Sequence, residues 1–182
     1  MLAAQELPLR SIYLFISNNW DIGTINAAKK KKSAVLKQLE AIMIAIWTNH
    51  LSLANRAIDS AHKDILEMIN RVDDLIGTKD AAALKETFKS LEDSLCACFE
   101  VEEKITQAIN VDFAQHRLAH QQLWNDFHHM RNILAEKNGK WSGGEAESLA
   151  ALWAKRFVQH IKNEGKQMKV VLSTQYYDFQ PD

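Results

Sequence analysis

The sequence contains little proline, glycine or cysteine, and these shortages narrow the classes of protein it can belong to. Two prolines and six glycines in 182 residues are typical of helical proteins and give no sign of disorder. The two cysteines, Cys96 and Cys98, lie too close together on a helix to face one another, so they provide no disulfide framework. A reducing cytoplasm is the compartment that fits this cysteine usage best.

A surplus of one charge and long apolar runs are also missing. The formal net charge is −1, and acids elsewhere offset the single basic run, Lys29 to Lys32, which argues against nucleic acid as a partner. No apolar run approaches the roughly 18 to 20 residues that a bilayer span needs, and the N-terminus lacks the basic-then-apolar order of a secretion signal. We therefore expect no membrane span and a cytoplasmic location.

Motifs of nucleophilic and phosphate-binding enzymes are absent as well. The sequence has no nucleophile turn with matching Ser, His and Asp, no phosphate-binding glycine loop and no CxxC pair. Any catalysis would have to work through bound metal ions. We expect the chain not to be an enzyme.

Regularly spaced apolar residues are what the sequence does have. They recur at intervals of three and four along segments 59–76, 84–109, 112–133 and 145–170, as in helices with one buried face. Asp80 is placed to cap the second segment, and Gly77-Thr78, Asn110 to Asp112 and residues 138–144 separate the four. The stripes include Ile65, Leu66, Ile69, Val72, Leu84, Phe88, Leu91, Leu95, Phe99, Ile105, Phe113, Leu118, Leu123, Phe127, Ile133, Leu149, Leu152, Phe157, Ile161 and Val170.

These four segments predict an all-α fold, an antiparallel up-down four-helix bundle, because helices of this length joined by short links pack most simply in that way. A fifth amphipathic stripe between Val35 and Ile46 predicts an extra N-terminal helix. It is a candidate for capping the bundle, for forming a homodimer or for joining a partner. We divide the chain into an N-terminal appendage (1–46), the bundle (47–175) and a C-terminal tail (176–182).

Histidine and glutamate residues are spread over all four predicted helices. His116 and His120 are four residues apart, so they project from one face of the third helix and can share a metal ion, although this spacing alone is a weak signal. His62, Glu102 and His160 add one donor from each of the other helices. Imidazole and carboxylate together suit iron, manganese or zinc, and a carboxylate such as Glu102 can bridge two ions.

At these residues the chain resembles the bacterial hemerythrin family, over roughly Trp47 to Val171. Trp47 followed by Ile58-Asp59-Ser60-Ala61-His62-Lys63 is similar to the family's tryptophan-bearing arm and its I-D-x-x-H-K motif. Cys98-Phe99-Glu100-Val101-Glu102-Glu103 is similar to its H-F-x-x-E-E motif. His116 to His120 resembles H-x-x-x-H, and Phe157 to Ile161 resembles the final L-x-x-H-I.

The sequence departs from the family pattern at three positions. Cys98 replaces a terminal histidine, Gly165 stands where the family has a bridging aspartate, and Arg156 replaces a tryptophan beside the ligand pocket. A site of the family type holds two metal ions, and three outcomes follow for the second ion. Cys98 binds it as a thiolate rather than being a small buried hydrophobe, or the carboxylate of Glu103 or Glu164 turns inward to bind it. In the third outcome, solvent occupies the vacant ligand position. We favour the last outcome, an open site.

The resemblance implies a di-iron site, two iron ions with an oxo, hydroxo or solvent bridge, with the metal ligands His62, Glu102, His116, His120 and His160. It also implies dioxygen or another small ligand, and a sensory role with a signalling output domain or protein as partner, such as a diguanylate cyclase. Carriage or storage of oxygen or iron, and an oxidase or peroxidase activity, are the alternatives. A poorly ligated second iron should oxidise readily, which favours sensing over transport.

Overall fold

The structure is a computed structural model that describes residues 46–181. After a short 3-10 turn at Asn49–Leu51, the helices are α1 (Arg56–Thr78), α2 (Ala81–Ala108), α3 (Ala114–Lys137), α4 (Gly143–Asn163) and α5 (Gly165–Leu172). Residues 46–181 contain no β-strand. The predicted N-terminal appendage (1–46), with its amphipathic helix, lies outside the described residues apart from Ile46 and stays a prediction.

Four long helical segments form the bundle. Helix α1 packs against α2 and α4, and α3 packs against the same two helices, which closes the arrangement. Glu164 keeps helical dihedral angles between α4 and α5, so these two segments supply the fourth side. The predicted all-α four-helix bundle is confirmed. Within the part of the chain that the structure describes, no helix combines the length and apolar character needed to cross a bilayer.

Local side-chain chemistry sets where the helices begin. The Asn55 side chain accepts hydrogen bonds from two backbone N–H groups of the first turn of α1, which starts three residues before the apolar stripe does. Asp80 caps α2 as predicted, accepting from the Ala83 N–H at 3.0 Å. Helix α4 begins at Gly143 rather than near Glu145, because the Ser142 carbonyl already accepts helical hydrogen bonds.

The core runs along the inward faces of these helices, but three residues assigned to the apolar stripes are exposed. Leu118, Leu152 and Val170 are all at least half exposed. On α3 the reason is that His116 and His120 occupy the inward positions, so Leu118, two residues from each, points away from the core. The buried face of this helix consists of His116, His120, Leu123, Phe127, Met130 and Leu134.

A buried polar network joins the start of α1 to the segment that follows α5. The Asp59 carboxylate accepts hydrogen bonds from the Ser52 hydroxyl at 2.5 Å and from the Leu53 N–H at 2.8 Å, and Tyr177 donates to it at 3.2 Å. Asn55 Nδ2 donates to the Phe179 carbonyl at 2.7 Å. The chain therefore enters and leaves the bundle at one place.

Candidate metal centre

The structure brings together all five residues singled out as metal ligands. Each of the four long helices, α1 to α4, contributes at least one of them, because each residue lies on the inward face of its helix. All five are buried, with at most 6% of any of them exposed. They are His62 on α1, Glu102 on α2, His116 and His120 on α3, and His160 on α4.

Glu102 stands at the middle of this cluster, and its two carboxylate oxygens face different imidazoles. Oε2 lies 3.0 Å from His116 Nε2, 2.9 Å from His120 Nε2 and 3.6 Å from His160 Nε2. Oε1 lies 2.8 Å from His62 Nε2, on the α1 side. A carboxylate in this position can engage one ion through each oxygen.

The charge balance of the cluster favours a cation. Burial alone would raise the pKa of the Glu102 carboxyl, but the surrounding imidazoles hold that pKa well below its usual range. Burial lowers the pKa of His120 to about 4 and also lowers the pKa of His160, so both rings are neutral at pH 7. A buried carboxylate among neutral imidazoles is costly unless a positive ion joins it.

Unpartnered polar atoms in the cluster point to the same conclusion. His62 Nε2 and Glu102 Oε1 are only 2.8 Å apart, yet they are not aligned as a hydrogen bond. Within residues 46–181, both atoms lack a hydrogen-bond partner, as do the Nδ1 atoms of His62 and His160. A buried polar atom without a partner costs about 1–3 kcal/mol. A metal ion placed beside His62 Nε2 and Glu102 Oε1 would satisfy both, so the residues present fit a metal centre.

Cys98 lies on the same side of Glu102 as His62. Its Sγ, a His62 ring nitrogen and a Glu102 carboxylate oxygen all lie within 4.8 Å of one another, and the cysteine is 1% exposed. Burial, and then the charge of Glu102, raise the pKa of this thiol well above its ordinary value, so it is protonated when no metal is present. Cys96, two residues earlier, is exposed.

Aromatic side chains hold the imidazoles from outside the cluster. The Phe99 ring stacks on His120 with a centroid distance of 3.8 Å, and Phe113 lies against His116 at 4.6 Å. Phe157 meets His62 edge to face at 5.8 Å. These rings fix the orientation of the imidazoles and exclude water from them.

The position where the family pattern places a bridging aspartate is crowded by a leucine side chain. A Cβ atom added to Gly165 would lie 2.7 and 2.8 Å from the two methyl carbons of Leu53, closer than real Cβ contacts. Leu53, in the arm before α1, was missed by the sequence analysis because an isolated apolar residue outside a helix has no periodic signal. Its side chain fills the space beside α5.

Neither of the two alternative carboxylates joins the cluster. Glu103 is paired with Arg117 at the surface, and Glu164 is half-buried. Among the described residues, the groups of close ligand atoms contain neither of them. The structure therefore gives no support to a carboxylate from Glu103 or Glu164 at the second position.

The remaining polar and aromatic candidates take structural places. Arg156 pairs with Asp126 on α3 and its side chain is half exposed, which matches an arginine turned to solvent. Trp153 is buried and its indole N–H donates to the Leu123 carbonyl at 3.1 Å. His128 lies 3.5 Å from Glu92 in a half-buried surface pair. None of them approaches the cluster around Glu102.

Residues 53–171 match the model described as the hemerythrin HHE cation-binding domain. The bacteriohemerythrin of Pseudomonas aeruginosa (strain LESB58) is 28% identical over 121 residues, which cover 65% of this chain and 75% of that protein. The bacteriohemerythrin of Pseudomonas paraeruginosa shows the same identity and coverage. No solved structure gave a significant match.

Proposed function

The chain belongs to the hemerythrin family of HHE cation-binding domains, and on that premise we propose that it is a sensory module whose iron ligands come from all four sides of the bundle. The family match confirms the resemblance seen in the motifs and makes the chain a di-iron, oxygen-binding domain. Its individual ligands and its sensing role are the parts that we propose. The proposed ligands are His62, Glu102, His116, His120 and His160.

The position of Glu102 is the observation that carries the ligand assignment. One of its oxygens faces the imidazoles of α3 and α4, and the other faces His62 on α1. Nε2 atoms of His116, His120 and His160, together with Oε2, offer the first ion four donors. Neutral rings at His120 and His160 leave lone pairs free for metal at neutral pH.

The second ion has fewer donors of the expected kinds. The donors proposed for it are His62 Nε2 and Glu102 Oε1, which lie 2.8 Å apart, and Leu53 crowds the position of the family's bridging aspartate. Positions left by these donors are open to solvent or to a small ligand. Iron, when bound, supplies the redox chemistry and the affinity for dioxygen that side chains lack.

The bundle around the cluster controls which molecules reach it. Ile65, Leu123 and Phe157 are buried apolar residues of α1, α3 and α4, and Phe99 covers His120. Such walls admit small uncharged molecules and exclude ions and larger solutes. Dioxygen has the required size and polarity.

Unequal ligation is the feature that favours sensing over carriage. An ion with few protein donors is oxidised readily and is poorly suited to reversible oxygen release. A change at the cluster can reach the ends of the bundle through α1, whose first turn is hydrogen-bonded to the segment around Tyr177 and Phe179. An output partner and a cytoplasmic location belong to this proposal.

Anaerobic reconstitution with ferrous iron tests the proposal. We expect two irons per chain by metal analysis, and an absorption change on adding air that does not reverse when oxygen is removed. His120→Ala should lose iron, whereas His128→Ala, on the same helix but outside the cluster, should retain it.

Three results would contradict parts of the proposal. One iron or fewer per chain in the unmodified protein would count against the di-iron ligand set. A stable spectrum that reverses on deoxygenation would indicate carriage rather than sensing. Sustained consumption of peroxide would indicate an enzyme.

A further inference from the structure

Cys98 stands beside the poorly ligated metal position, and its surroundings assign it a role there. Resting on the proposed di-iron centre, we infer that Cys98 is a protein ligand of the second metal ion, which makes that position a mixed site of thiolate, imidazole and carboxylate. The first ion would keep its three imidazole ligands and the Glu102 carboxylate. The two positions would then differ in donor chemistry as well as in number of donors.

The helices bring the three donors together from two directions. Cys98 precedes Glu102 by four residues on α2, so the two side chains project from the same face one turn apart. His62 faces them from α1, which packs along α2. All three residues are at most 1% exposed, and their ligand atoms lie within 4.8 Å of one another.

A second observation points to a ligand at this place. His62 Nε2 and Glu102 Oε1 are fully buried and lack hydrogen-bond partners within the described part of the chain. Oε2 of the same carboxylate, by contrast, has His116 and His120 at 3.0 and 2.9 Å. Of the two Glu102 oxygens, the unsatisfied one is therefore the one that faces His62, the residue grouped with Cys98 and Glu102 as close ligand donors.

The distances allow the sulfur to reach the ion. Zinc-like ions bind thiolate at about 2.3 Å and imidazole at about 2.0–2.1 Å, so ligand atoms around one tetrahedral ion lie about 3.5 Å apart. Starting from separations of 4.8 Å or less, the three donors need to approach one another by about 1.3 Å at most. Rotation of the Cys98 and His62 side chains can supply a movement of this size.

The chemistry of the site then selects among metals. On binding, the thiol proton passes to solvent, and the thiolate and the carboxylate offset the charge of a divalent ion. Thiolate donors favour iron, cobalt and zinc over the oxygen-preferring magnesium and calcium. A Cys98 that merely filled space as a small hydrophobe would have no such effect.

Cobalt(II) titration of the intact, metal-free chain tests this inference, because thiolate bound to cobalt gives an intense near-ultraviolet charge-transfer band. We expect the band to appear with the second equivalent of cobalt. Cys98→Ser should abolish the band and weaken binding of the second ion at least about tenfold, while the first ion still binds. Cys96→Ser, which alters the exposed cysteine two residues away, should leave both unchanged.

Cys98→His provides a variant that restores the imidazole of the family pattern. It should bind two cobalt ions without the charge-transfer band. That result would show that the band disappears because the thiolate is lost and not because the protein fails to fold. Two results would overturn the inference and leave the proposed function standing. One is that the unmodified protein binds two cobalt ions without the charge-transfer band, and the other is that the band persists in Cys98→Ser. Failure to bind any cobalt would overturn both.

Discussion

The contact between Gly165 and Leu53 predicts an unusual response to Gly165→Ala. Gly165 lies in helical backbone, where alanine normally stabilises a helix by up to about 1 kcal/mol relative to glycine. Here the new Cβ atom would meet both methyl carbons of Leu53, at 2.7 and 2.8 Å. The Leu53 side chain is 3% exposed, and its N–H is held by Asp59, so the arm has little freedom to retreat.

The magnitude follows from the balance of these two effects. Forcing an additional carbon into a packed site typically costs about 1–3 kcal/mol. Subtracting about 1 kcal/mol of helix propensity leaves Gly165→Ala destabilising by about 1 kcal/mol. Gly77→Ala is the matched control, because Gly77 is also helical and a Cβ there would meet nothing within 4 Å. The control should stabilise by up to about 1 kcal/mol.

Urea unfolding of the metal-free protein, followed by circular dichroism, measures both changes. The same substitution in a Leu53→Ala background should reverse its sign, because the obstructing methyl groups are gone. Leu53→Ala alone should cost about 2–4 kcal/mol. If Gly165→Ala stabilises the unmodified protein as much as Gly77→Ala does, the close packing described here is wrong.

Three further predictions concern acid, the polar network and the surface. The metal-free protein should lose about 3 kcal/mol of stability between pH 6.5 and 4, because His120 takes up a proton at about pH 4 when folded and at 6.5 when unfolded; a flat unfolding free energy over this range would refute it. Asp59→Ala should lower the free energy of unfolding in urea by about 3 kcal/mol, since it removes hydrogen bonds accepted by a buried carboxylate. A decrease no larger than that of a substitution at an exposed residue would contradict the buried polar network. Arg156→Ala should change the free energy of unfolding by less than about 1 kcal/mol and leave the iron content unchanged, because the ion pair of Arg156 with Asp126 is half exposed. Loss of iron would instead place Arg156 at the metal centre.

The fold was predictable because the helices obey local rules. The 3.6-residue period located the four sides of the bundle, and Asp80 marked the start of α2 correctly. One error came where the proposed metal-binding histidines override the apolar pattern. Leu118 was placed in the core because it is apolar, although the inward positions of its helix belong to His116 and His120.

The candidate site was predictable in its members and not in its packing. Motif spacing named Glu102 and the four histidines that meet around it, since each motif lies within a single helix. The nearness of Cys98 to His62 depends on how α1 packs along α2, and the crowding at Gly165 depends on Leu53 in the arm. Contacts between segments far apart in sequence leave no local signal.

The hydrogen bonds that join the two ends of the bundle also have a topological consequence. The Arg56 N–H donates to the Tyr177 carbonyl at 2.8 Å, so the chain leaves the domain beside the point where it enters. Grafting residues 53–179 into a surface loop of another protein would therefore separate the ends of that loop very little, and the entropy of closing it would change by only a small amount. The domain is suited to insertion within a host chain, and to circular permutation through a short linker between its ends.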